Sequence, residues 1–135
     1  GNLGTILRAA EAAGVQAVFL LQRTTDPWAP KVVRSGMGSH FRLPILNWSI
    51  DALEAVLNDM QVFYADMDGK TSYWEADFTV KTALLIGGEA KGASAEGLRL
   101  ANQTVRIPMF GETESLNAAV SAALLMFEVV RQRQS

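Results

Sequence analysis

The chain of 135 residues contains no cysteine and only one histidine, His40. Disulfides are therefore excluded, and a zinc site built from cysteine and histidine is effectively excluded with them. The lack of cysteine fits a reducing cytoplasm, which is the expected location. With that zinc site gone no bound metal is expected, and no apolar run approaches the roughly 20 residues of a membrane span, so no membrane partner is expected either. No Gly-x-Gly-x-x-Gly follows a strand, since Gly36 and Gly38 lack the rest of that pattern, and no Walker A sequence is present. Asp66-Met67-Asp68-Gly69 hints at a calcium loop, but its glycine is misplaced and the distal glutamate is missing, so it reads as a turn. A strong positive charge is also lacking. The net charge of -2 argues against a generic nucleic-acid coat.

With 49% hydrophobic and 19% charged residues, the chain reads as one globular domain, long enough to bury a real core. Charge is unevenly spread. Up to Trp48, Arg8, Arg23, Lys31, Arg34 and Arg42 face only Glu11 and Asp26. From Ser49 to Asn102, acids outnumber Lys70, Lys81, Lys91 and Arg99. This is either chance scatter or a single face that meets an anionic partner.

Hydrophobic periodicity gives an alternation of strands and helices. Asn2 is placed to cap a helix carrying Leu3, Ile6, Leu7 and Ala10 inward, stopped by Gly14. Val15 to Leu21 and Phe41 to Leu46 read as strands, with Pro30 opening a short helix to about Gly36 between them. Ser49 caps a helix over 50–58, with Ile50, Leu53, Val56 and Leu57 inward. Val62 to Ala65 is a strand, Asp68-Gly69 a turn, and Thr71 to Thr79 a short hairpin or extended excursion. Thr82 to Ile86 is the most apolar strand, and Ser94 or Ala95 opens the next helix. The last helix, Leu116 to about Gln132, is expected to bury Leu116, Val120, Ala123, Leu124 and Phe127. Such a pattern predicts an α/β fold with a mostly parallel sheet and helices on both faces.

Thr104 to Asn117 organises the rest. Val105 and Ile107 form a short strand that Pro108 stops, because proline has no N–H for a ladder. A polar loop, 111–114, leads to Ser115 at the position of an N-cap for the last helix. A strand that passes to a helix through a loop leaves a crevice at the strand's carboxyl end, where α/β proteins usually bind ligands. An ordinary connection has the same pattern.

Three stretches carry more specific information. Asn2-x-Gly4-x-x-x-Arg8 opens the chain, Leu85-Ile86-Gly87-Gly88-Glu89-Ala90-Lys91-Gly92 lies in the middle, and Ile107-Pro108-Met109-x-Gly111-x-x-x-Ser115-Leu116-Asn117 comes last. In this order and spacing they resemble the three motifs of the SpoU-type RNA 2'-O-ribose methyltransferases of the SPOUT class. Val33-Arg34 and the segment from Gly38 to Pro44 extend the resemblance nearly end to end.

The resemblance implies an α/β-knot fold with a C-terminal trefoil knot, S-adenosylmethionine as methyl donor, structured RNA (tRNA or rRNA) as substrate, and a homodimer. By position it implies cofactor contacts at Gly87, Gly88, Ile107, Met109 and Leu116. The implied polar active-site set is Asn2, Arg8, Glu89, Ser115 and Asn117, with Arg8 and Arg34 toward RNA. A guanidinium stays protonated, so Arg8 suits a phosphate or a developing alkoxide better than it suits general-base work. Plainer roles stand beside these: Arg8 as a helix residue paired with Glu11, Glu89 as a loop residue bonding amides, and Ser115 and Asn117 as helix caps. Ala90 and Gly36 depart from residues common in the family. So does the opening, where a strand and usually an Asp-Pro pair precede the first motif. The chain is thus expected to be a single catalytic domain, 1–135, cut at that motif, without its first strand or any N-terminal RNA-binding domain. A knotted domain that binds S-adenosylmethionine or RNA without catalysis is the alternative. An α/β small-ligand binder is a third reading, which requires the three motifs to be coincidence.

Overall fold

The computed structural model describes residues 2–21, 25–87 and 94–134. Helix α1 (Asn2–Ala12) buries Leu7 and Ala10 and ends at Gly14, whose φ of 77° is the left-handed stop that a glycine accepts without strain. Strand β1 (Val18–Leu20) follows, then α2 (Pro30–Gly36), with its proline in the first turn, where no N–H is missed. The strand expected over 41–46 is divided. Ser39–Phe41 forms a single 3-10 turn, and only β2 (Ile45–Asn47) is extended. The amides of Phe41, Arg42 and Leu43 bond back to Gly38 and Ser39 and so are unavailable to a ladder, and Pro44 has no amide hydrogen to offer.

Helix α3 (Ile50–Leu57) is capped by Ser49, whose hydroxyl accepts from the Ala52 amide at 3.2 Å. Only Leu53 of its expected inward residues is fully buried, and Val56 is exposed. Strand β3 (Gln61–Ala65) is buried along its centre. Of the hairpin or extended excursion expected over 71–79, no hairpin forms among the described residues: β4 (Thr71–Ser72) is extended and pairs in parallel with a later strand, while the Ser72 carbonyl accepts from Glu75 and Ala76 to close a turn. Strand β5 (Thr82–Leu85), α4 (Ala95–Leu100) with its Ser94 cap, β6 (Gln103–Arg106) and α5 (Ala118–Arg133) complete the chain.

Among the described residues every strand pair is parallel, in a two-stranded sheet β1-β2 and a four-stranded sheet ordered β4-β6-β3-β5. Side chains alternate across β3. Phe63 packs edge-on to Phe78 and clusters with Leu125 of α5, whereas Tyr64 faces Gly97 of α4. Helices therefore cover both faces of the larger sheet. Burying each large side chain of the Phe63 cluster contributes roughly 1.5–3 kcal/mol. A second cluster joins Leu7 and Ala10 of α1 to Val32, Leu43, Ala122 and Met126, and Leu84 and Ile86 pack against both. Although the segment of β5 was expected to be the most apolar strand, it lies at a sheet edge and is only half buried.

The inward face of α5 differs from the expected one. Ala119, Ala122, Leu125, Met126 and Glu128 are buried, while Leu116, Val120, Leu124 and Phe127 are 37%, 47%, 39% and 47% exposed. The helix has two apolar stripes, and the one with alanines faces α1 because small side chains let the two helices approach closely. Glu128 is buried but fully engaged. Arg131 donates to both of its carboxylate oxygens and Gln132 to one, and the Arg131 bonds hold its carboxyl below the usual range despite burial. Among the described residues no helix is long and apolar enough to cross a membrane, and no cluster of acids and histidine could hold a metal ion. The trefoil threading would involve the segment 88–93, outside the described residues.

Candidate active site

Parallel pairing places the carboxyl ends of β3, β5 and β6 along one edge, with Tyr64 opposite both Leu85 and Thr104. The chain leaving β6 runs Ile107–Pro108–Met109 past the turn that follows β3. There the Arg106 guanidinium donates to the Gly69 carbonyl at 2.9 Å. Gly69 must be small: a Cβ would lie 2.5 Å from the carbonyl carbon of Val105. Between these segments opens a cleft of about 590 Å³ lined by Met67, Asp68, Arg106, Ile107, Pro108, Met109, Thr113 and Glu114. Its size is that of an ordinary small-molecule site. One wall is apolar and sulfur-rich, and Asp68 and Glu114 supply carboxylates.

Of the expected cofactor contacts, Ile107 and Met109 line this cleft. Gly87 lies two residues past the end of β5, on the far side of β3, about 10 Å away by strand spacing. Leu116 is partly exposed, just beyond Glu114. Gly88 and Glu89 lie outside the described residues. The sequence reading missed Met67, Asp68, Arg106, Thr113 and Glu114. The first two follow β3 and become neighbours of the third motif only through strand pairing, but Thr113 and Glu114 stand inside that motif and were legible.

Of the expected polar set, Asn2 and Asn117 meet at the start of α5. That helix begins at Ala118, and its cap is Asn117, not Ser115. Asn117 Oδ1 accepts from the Ala119 and Val120 amides at 2.8 and 3.3 Å. From the cap position the same amide donates through Nδ2 to Asn2 Oδ1 at 3.0 Å. Ser115 is exposed two residues earlier. Arg8 is exposed on α1, about 9 Å along the axis from Asn2.

The pair with Glu11, the plainer role for Arg8, is not made. Glu11 bonds Arg42 at 2.7 Å instead, and among the described residues the Arg8 guanidinium has no ion-pair partner. Gly4 has a structural explanation, since a Cβ there would overlap Ser35 Oγ and lie 2.7 Å from the Val32 carbonyl of α2. Its place on α1 lets the two helices touch. Arg8, one turn beyond Gly4, and Arg34, next to Ser35, flank that seam, and Arg34 is exposed. His40 is structural: it is buried against Trp28, with Nε2 2.6 Å from the Pro27 carbonyl.

Comparison with known proteins gives a consistent picture. Residues 1–127 match the model of the SpoU rRNA Methylase family. A 23S rRNA uridine 2'-O-methyltransferase of Streptomyces viridochromogenes is 38% identical over 100% of this chain and 50% of its own length. The solved SpoU methyltransferase of Streptomyces viridochromogenes in complex with AdoMet superposes with a TM-score of 0.88 at 36% identity, covering 98% of this chain and 56% of that one. A structure described as giving insight into 2'-hydroxyl methylation of C/U34 on tRNA has a TM-score of 0.88 at 32% identity, covering 98% of this chain and 88% of that one. The chain spans about half the length of the curated relatives it matches.

Proposed function

This chain belongs to the SpoU rRNA Methylase family, and we propose that it is the catalytic domain of an enzyme that methylates the ribose 2'-hydroxyl of a nucleotide in tRNA or rRNA. The observation that carries this reading is the Asn2–Asn117 bond, which joins the first and third motifs at the start of α5, the helix that follows the cleft's third-motif loop. S-adenosylmethionine, when bound, supplies an activated methyl group on a sulfonium. The cleft suits it: Ile107, Pro108, Met109 and Met67 offer an apolar wall for an adenine, and Asp68 and Glu114 oppose positive charge. We assign Ile107 and Met109 to that wall and keep Gly87, Gly88 and Leu116 as further cofactor contacts, with the knot as the arrangement that gathers them.

In the proposed reaction the ribose oxygen would gain the methyl, the carbon–sulfur bond would break to leave the neutral thioether S-adenosylhomocysteine, and the hydroxyl proton would pass to water. Geometry is the main demand. In this reading Asn2, Asn117 and Ser115 orient the ribose by hydrogen bonds, and Glu89 belongs to the same polar set. Arg8 binds the target's phosphate and stabilises the alkoxide as it develops. Arg34 extends the cationic surface, and the exposed rings of Trp28 and Phe41 offer faces on which unpaired bases stack.

The enzyme is proposed to be a cytoplasmic homodimer. Val120, Leu124 and Phe127 form an apolar stripe along α5 that a second copy would cover, with Leu116 exposed just before the helix. The direct test is mass spectrometry of RNA nucleosides after incubating the full-length protein with S-adenosylmethionine and total RNA. The expected product is a 2'-O-methylated nucleoside that Arg8→Ala fails to make, and its absence with the wild type overturns the reading.

A further inference from the structure

Arg106 ends β6 and is half-buried where it lines the cleft. Its Nη1 donates to the Gly69 carbonyl at 2.9 Å. That carbonyl belongs to a turn that is itself held. The Gly69 amide donates to the Asp66 carbonyl at 2.8 Å, the Asp68 amide to Asp66 Oδ1 at 3.1 Å, and the Asp66 amide to the Val105 carbonyl at 2.9 Å. A guanidinium has five N–H donors, so the bond to Gly69 leaves most of them for another acceptor. Among the described residues Arg106 has no ion-pair partner, and neither has Asp68 or Glu114 on the same cleft. One fixed cation and two carboxylates thus share a small-molecule cleft without neutralising one another.

Charges of both signs in one cleft complement a zwitterion. An α-amino acid carries its carboxylate and its ammonium on the same carbon, so the groups that hold it must stand close together. We infer that the cleft takes the amino-acid tail of S-adenosylmethionine, with Arg106 on the carboxylate and Asp68 and Glu114 on the ammonium, an assignment that rests on the cofactor-binding reading above. The guanidinium fork matches a carboxylate, and its bond to Gly69 orients it before the ligand arrives, so less ordering remains to be done on binding. The apolar wall from Ile107 to Met109 is left for the nucleoside. A phosphate of the RNA would be repelled by the two acids, whereas the zwitterion is attracted by groups of both signs.

The test is calorimetric titration of two ligands into the full-length protein and its variants. S-adenosylhomocysteine carries the tail, and 5'-methylthioadenosine keeps the adenine, ribose and thioether without it. The wild type is expected to bind S-adenosylhomocysteine the more tightly. Arg106→Met should weaken that ligand roughly 10- to 100-fold, the worth of a hydrogen bond to a charged group, and leave 5'-methylthioadenosine unchanged. Arg106→Lys keeps the charge without the fork and should fall between. Asp68→Asn with Glu114→Gln should cost S-adenosylhomocysteine about threefold, as suits exposed carboxylates, and again spare the ligand without a tail. If Arg106→Met weakens both ligands equally, Arg106 only braces the Gly69 turn. If it weakens neither, its task lies elsewhere, on a phosphate of the RNA where KM for RNA rises. A wild type that binds the two ligands equally well leaves the tail outside the cleft. Each of these results overturns the inference while the cofactor reading stands. If the wild type binds neither ligand, the cofactor reading falls and this inference with it.

Discussion

The amide of Asn117 donates to Asn2 Oδ1 at 3.0 Å across 115 positions of sequence, while its own oxygen caps α5. One side chain thus both starts the last helix and fastens it to the first. Helices α1 and α5 pack through Leu7, Ala10, Ala122 and Met126 directly behind it, so the polar bond sits at the end of an apolar seam.

The two uses of Asn117 can be separated. Asn117→Ala should cost about 1 kcal/mol through the lost cap. Asn117→Ser keeps a capping oxygen but is too short to reach Asn2, so its stability should stay within about 0.5 kcal/mol of the wild type. Methyl transfer should fall with both variants, by about tenfold or more, the effect of a disturbed active-site geometry. Urea denaturation beside single-turnover methylation checks this, and full activity in Asn117→Ser would remove the bond from the mechanism.

Arg8 is exposed and has no ion-pair partner among the described residues, so its replacement should not disturb the fold. Arg8→Ala is expected to leave Tm and S-adenosylhomocysteine affinity unchanged while lowering transfer roughly 100-fold or more, the scale of losing one charge-stabilising donor. A variant that still methylates at the wild-type rate refutes the assigned role.

The apolar stripe of α5 predicts that the wild type is a dimer. Val120→Glu with Leu124→Glu should give a soluble monomer by light scattering, because both side chains are already solvent-exposed within one chain. A wild type that runs as a monomer at micromolar concentration would show that something else covers the stripe.

Glu128 links stability to pH. Its bonds to Arg131 and Gln132 hold the folded carboxyl below its unfolded value, so the contribution is complete above the ordinary carboxylate range and disappears as pH falls through the folded value. Glu128→Gln should therefore cost about 1 kcal/mol at neutral pH. That difference should shrink as the solution is acidified below the normal glutamate range. Thermal unfolding of both proteins against pH measures it, and a gap independent of pH contradicts the assignment.

Met37 closes α2 in the left-handed region, at φ 51°, while its side chain is 62% exposed. Glycine at that position would relieve the clash without giving up much packing, so Met37→Gly should stabilise the protein by roughly 0.5–1 kcal/mol. A fall in Tm would show that the side chain contributes more than the backbone costs.

Some of the local geometry could be read from residue types alone. Ser49 and Ser94 cap their helices, Pro30 opens α2 and Gly14 stops α1, because these effects act within a turn or two of the chain. Where the reading failed, the missing information was not local. Ser115 and Asn117 are both good caps, and only the position of Asn2 favours the second. The residues over 71–79 carry a hairpin's composition, but Thr71 and Ser72 were recruited by the edge of β6.

The sequence by itself determined the α/β class, the parallel strands, most element starts and the three motifs, because each depends on periodicity or on residue types at fixed spacing. Tertiary structure decided which stripe of α5 faces inward, which residues after β3 join the cleft, and that the Tyr64 hydroxyl meets the Ser94 amide at the start of α4. Those depend on which surfaces meet across long stretches of chain. A helix with two apolar stripes, or a tyrosine at a strand's end, carries no mark of its partner until packing supplies one.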